Sequence, residues 1–159
     1  LGHRHRDEAR FMAMTEMRPR ATGHPGYGET HPRVPHTARA ARSLARTACA
    51  NWAIPKDTAE VAALLLVELV SNAVRHGQGP VVRLRVDRTA ADRVLVAVTD
   101  HAPHCVPEMQ DPDPLALSGR GLCIVEQMSE RWGYELIGPT AQRSAKRVWA
   151  EIAVDVSAS

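Results

Sequence analysis

Between Asp57 and Gly77 the chain runs through Val61, Leu64, Leu65, Leu66, Val67, Leu69, Val70, Ala73 and Val74 with few polar interruptions. That run constrains the fold more than any other stretch. Apolar side chains nearly all round predict a helix buried inside a domain rather than lying on its surface. Asp57 suits the N-cap, Glu60 three residues on completes a capping box, and Gly77 supplies the stop. Two residues break the pattern. Glu68 and Asn72 stand four apart and so share one face. Taken alone they could be a buried hydrogen-bonded pair. An unpaired carboxylate is costly inside a core, so the alternative is that Glu68 faces a cleft or a partner.

The remaining elements follow from changes of period. His36 to about Trp52 predicts a first helix with Ala40, Leu44, Thr47 and Ala48 on one face, and Arg39, Arg42 and Arg46 mostly elsewhere. After the turn cluster Gly77-Gln78-Gly79-Pro80 the period drops to two. Val82, Leu84 and Val86 alternate with Arg83, Arg85 and Asp87; beyond a turn at Thr89–Asp92, Val94, Val96 and Val98 do the same. This reads as an antiparallel hairpin covered on one face. His101 to Ser118 is a long connection with four prolines, and loops of that length tend to serve function. Gly119-Arg120-Gly121 opens a third helix, Leu122 to about Trp132, with Ile124, Val125 and Met128 inward. Tyr134–Ile137 and Arg147–Val154 are the last two strands. The order predicts an α+β fold, a two-layer sandwich of a mixed sheet with helices on one face.

At 159 residues this is one domain. Residues 1–30 lack periodicity and collect proline and glycine, which predicts a flexible, disordered leader, with a short strand near Tyr27–Val34; the folded domain is expected over 31–156. The net charge of +2 conceals a division: residues 1–34 carry six arginines against four acids, and the remainder is balanced at fourteen each. A neutral core gives no electrostatic case for nucleic acid. No apolar run is long enough to span a membrane, and the first residues hold no secretory apolar segment. Cys49, Cys105 and Cys123 have no metal or redox spacing, which suits a reducing cytoplasm. His101, His104 and Cys105 are too few for a tetrahedral zinc set, and His3 and His5 read as solvated.

Three separated features carry chemistry. A Glu-x-x-x-Asn helix comes first, an aspartate closing the strand Val98-Thr99-Asp100 second, and a Gly-x-Gly at a helix start third. Amides at such a start, together with the helix dipole, favour anions.

In this order they resemble the GHKL, or Bergerat-fold, ATP-binding superfamily, specifically the small bacterial anti-sigma-factor serine/threonine kinases. Glu68-Leu69-Val70-Ser71-Asn72-Ala73-Val74-Arg75-His76-Gly77 resembles the N box and Val98-Thr99-Asp100 the G1 position. Ser118-Gly119-Arg120-Gly121-Leu122-Cys123-Ile124-Val125 resembles the G2 box, and Arg147–Ile152 the family's last strand. The resemblance spans about residues 30–154.

The resemblance implies a two-layer Bergerat sandwich, ATP and Mg²⁺ as cofactors, and roles for particular residues. Asn72 would offer its amide oxygen to Mg²⁺. Glu68 would orient or deprotonate the attacking hydroxyl of a protein serine or threonine. Asp100 would accept from the adenine amino group, and Gly119, Arg120, Gly121 and Leu122 would line the phosphate-binding turn. Residues 101–118 would form the lid. Implied too are a sigma factor and an anti-sigma-factor antagonist as protein partners, and a homodimer. A nucleotide-gated partner switch without phosphotransfer is the alternative from another class. A sensor histidine kinase fits less well, because no helix pair with a phosphoacceptor histidine precedes the domain. Two departures stand out: His101-Ala102-Pro103-His104 replaces a glycine-rich turn after Asp100, and the turn Gln142–Lys146 lacks the usual glycine, so Lys146 is given no catalytic role.

Overall fold

The computed structural model describes residues 16–18, 25–101, 120–138 and 145–155. Six strands and three helices are present among them. The strands are β1 (Glu16–Arg18), β2 (Gly26–Pro32), β3 (Val81–Ala90), β4 (Arg93–Asp100), β5 (Arg131–Ile137) and β6 (Ala145–Ala153). The helices are α1 (Thr37–Asn51), α2 (Lys56–His76) and α3 (Arg120–Met128). The strands form one sheet in the order β1-β2-β3-β4-β6-β5.

Every described pairing in that sheet is antiparallel. A mixed sheet was expected, and the connectivity explains the difference. β5 runs in the same direction as β4, but β6 lies between them and is antiparallel to both. β2 lies where a short strand near Tyr27–Val34 was expected, beginning within the stretch assigned to the leader, and pairs with β3 from Tyr27↔Val86 to Pro32↔Val81. β1 adds to the outer side of β2.

The core lies between the helices and one face of the sheet. Val82, Leu84 and Val86 from β3, Val94, Val96 and Val98 from β4, and Val148, Ala150 and Ile152 from β6 meet Leu65, Leu66, Leu69 and Val70 of α2. These four are at most 1 % exposed, and burying each such side chain contributes about 1.5–3 kcal/mol. Ala41, Leu44, Ala45, Ala48 and Cys49 form the inward face of α1. Thr47, expected there, is exposed, because it falls on the arginine side of the helix.

Three expectations about the helices need correction. The capping box does not form: Pro55 holds the N-cap position, with no side-chain cap. Glu60 instead makes a two-pronged contact with the Arg46 guanidinium, 2.9 Å on each arm. Nor is α2 buried all round. Leu64 is 39 % exposed and Val61, Val67 and Val74 are partly so, which leaves one stripe of the helix open. Third, α3 ends at Met128, so Trp132 belongs to β5. Met128 is exposed and Val125 carries the inward contact.

Candidate functional site

The open stripe of α2 runs through Asp57, Val61, Leu64, Glu68, Asn72 and Arg75. Spacings of three and four residues keep these on one side of the helix. Glu68 and Asn72 are both half-buried there. Burial raises the Glu68 carboxyl above its ordinary 4.5, and the nearby Arg75 charge opposes that rise only in part. A carboxylate moved in this direction is a better proton acceptor near neutral pH than an ordinary glutamate. An amide oxygen one turn away suits a hard cation.

Asp100 sits where α2 and β4 run out together. The end of α2 is extended at Gly77, with φ −81° and ψ 176°. Glycine is therefore needed here for space and not for a left-handed backbone. A Cβ at Gly77 would lie 2.9 Å from Asp100 Oδ2 and would collide with the Ala73 carbonyl oxygen. Only a bare backbone lets the helix end close onto that carboxylate. The His101 amide donates to the Gln78 carbonyl at 3.3 Å, and Gly79, with a positive φ of 87°, packs under the His101 ring. The glycines after α2 thus let Asp100, twenty-eight residues beyond Asn72 in sequence, sit beside the end of the same helix.

Sequence reasoning passed over the partner of Asp100. Lys146, the second residue of β6, is directly opposite Asp100 in the β4–β6 register. Its Nζ lies 3.9 Å from Asp100 Oδ2, and the two residues are 1 % and 2 % exposed. Lys146 shares its side of β6 with Val148, Ala150 and Ile152, so its ammonium points to the helix side. The signal was available. Lys146 is one of two lysines in a chain with eighteen arginines, and it stands at an inward position of an alternating strand.

The third feature is described only in part. Arg120, Gly121 and Leu122 form the first turn of α3, which packs against α2. Gly119, His104, Cys105 and nearly all of the expected lid, 102–118, lie outside the described residues. Among the described residues no group of three histidines, cysteines or acids could hold a metal, and no helix is long and apolar enough to cross a membrane. The remaining tryptophans support the scaffold. Trp132 donates to Glu126, and Trp149 lies under Gly133.

The group fits a Mg²⁺-nucleotide in its donor set. It offers an amide oxygen and a carboxylate on one helix face and a buried carboxylate against a bare backbone, with α3 packed on the same helix. A family model described as a histidine kinase-like ATPase domain matches residues 32–143. Among solved structures, a chain of the SiaB–SiaC complex from Pseudomonas aeruginosa superposes with a TM-score of 0.53 at 12 % identity, covering 95 % of this chain and 96 % of that one. No curated protein matches the chain by sequence.

Proposed function

This chain belongs to the histidine kinase-like ATPase domain family, and from that premise we propose that it is an ATP·Mg²⁺-binding regulator of protein partners that transfers phosphate to a serine or threonine. Asn72 would present its amide oxygen to Mg²⁺, which keeps its other positions for water and phosphate. Asp100 would accept from the adenine amine. Gly119 and Gly121 would let amides at the start of α3 approach the phosphates, with Arg120 and Leu122 in the same turn. When bound, the nucleotide supplies the phosphoryl group and the cation offsets its charge. Glu68 takes the proton of the attacking hydroxyl.

The observation that carries this reading is Glu68 itself. It is held half-buried on the open stripe of α2, one turn from Asn72, with its proton affinity raised by burial. The partners we propose are a sigma factor and its protein antagonist, with the kinase acting on the antagonist. The fold-level likeness to a chain crystallised in a two-protein complex agrees with a partner-binding role.

A second reading is a nucleotide-gated switch without transfer. It is favoured by the near-complete burial of Asp100, which asks for movement before a base can enter. Labelled γ-phosphate separates the two. Transfer to the antagonist that Glu68→Ala abolishes, with ATP binding retained, is expected for the kinase. Retained binding with no transfer by wild type would leave the switch.

A further inference from the structure

We infer that Arg33 is a positioning residue for the nucleotide site, fastening the turn after α2 that closes onto Asp100. The inference rests on the nucleotide-binding reading above and deepens it. Arg33 stands between β2 and α1, yet its side chain holds residues 41 and 46 positions further on. Its Nε donates to the Gly79 carbonyl at 2.7 Å and its Nη1 to the Val74 carbonyl at 2.8 Å. Its own amide donates to the Pro80 carbonyl at 3.0 Å. Val74 lies in the last turn of α2, where carbonyls lack partners within the helix. One guanidinium thus joins the helix end to the turn that leaves it. Its planar fork fixes two oxygens in set directions, which the point charge of a lysine does not.

The turn itself reads Gly77-Gln78-Gly79-Pro80. Two of its four residues are glycines, the residues with the most backbone freedom to lose, so its position has to be imposed from outside. Its first half meets the proposed site. Gly77 packs on the Asp100 carboxylate, and the Gln78 carbonyl accepts the His101 amide where β4 ends. Its second half is what Arg33 holds, through Gly79 and Pro80. Without that hold the turn would sample other backbone states, and only a fraction of molecules would present a formed site. The apparent affinity for nucleotide falls by that fraction.

The test is calorimetric titration of the full chain with ADP and Mg²⁺ for wild type, Arg33→Lys and Arg33→Met, at a temperature where melting curves show each fully folded. Both variants should bind ADP about tenfold or more weakly than wild type, the scale of one charge-assisted hydrogen bond. Gly26→Ala, altered at the other end of β2, controls for stability alone and should bind as wild type does. A lowered melting temperature with wild-type ADP affinity in the Arg33 variants overturns the inference and leaves Arg33 a cap on α2. Equal weakening in Gly26→Ala also overturns it, since affinity would then follow stability and not the position of the turn. If neither Arg33 variant folds, hydrogen exchange of the wild type decides. ADP should slow exchange across residues 75–80, and saturating ADP that leaves it unchanged overturns the inference while nucleotide binding stands. Failure of wild type to bind ADP at all overturns the nucleotide reading itself.

Discussion

Glu68 ties stability to chemistry at a single side chain. Its proton affinity is higher in the folded chain than in the unfolded one, where the carboxyl has its ordinary value of 4.5. Its contribution to stability is therefore complete below about pH 4.5 and is lost as pH rises through the raised value. Glu68→Gln should accordingly melt higher than wild type near pH 7, with the advantage vanishing below about pH 4.5, and on the kinase reading proposed above it should also lose phosphotransfer. Thermal melts across that range check it. Cys49 gives a contrasting case. It is fully buried in α1, and burial pushes its thiol up to about 11. Since the thiolate is the reactive form, Cys49 should resist alkylation at pH 8 until denaturant is added, whereas the half-buried Cys123 should react first. Mass spectrometry of iodoacetamide adducts reads both. Glu68, Asn72 and Asp100 were legible as residues because each is a polar exception in an apolar pattern. Lys146 carried a signal in its rarity and inward position, but its pairing with Asp100, forty-six positions away, is supplied only by strand register.

Among the elements, α2 shows how far pattern reaches. Its existence, length and glycine stop followed from periodicity, yet its N-terminus did not. Asp57 and Glu60 satisfy the capping-box spacing, but Pro55 fixes the entry and Arg46 of α1 claims Glu60. The contact that won is tertiary and lies fourteen residues away. The reason for Gly77 also changed, from backbone freedom to room for Asp100. Gly77→Ala should therefore cost about 1–3 kcal/mol, as overpacking does, and should weaken ADP binding together with stability. Gly26→Ala makes a useful control. Its Cβ would run into Asp87, which is fully buried and paired with Arg85 at 2.8 Å on the other face of the sheet. It should destabilise by a similar amount, measured by urea unfolding, and leave the affinity of the remaining folded protein unchanged.

For the molecule as a whole, the two-layer α+β arrangement was legible because the period switches from 3.6 to 2 at Gly77–Pro80 and back at Gly119. The uniformly antiparallel sheet was not, because strand order is set by which edges meet and not by local pattern. The resulting order has a further consequence for how the protein is made. β6, the last strand of the sheet in chain order, is enclosed between β4 and β5, and it brings the lysine that faces Asp100. While the chain emerges from the ribosome, β4 and β5 must wait with unpaired edges, and Asp100 must wait for its counter-charge. Contacts that join distant parts of a chain form slowly. Nascent chains halted at residue 143 should thus be open to protease and to chaperones, and become protected only once the last strand has closed the sheet. The proposed site then cannot be assembled ahead of the fold, so a half-made copy would lack the β4–β6 pairing that places Lys146 against Asp100.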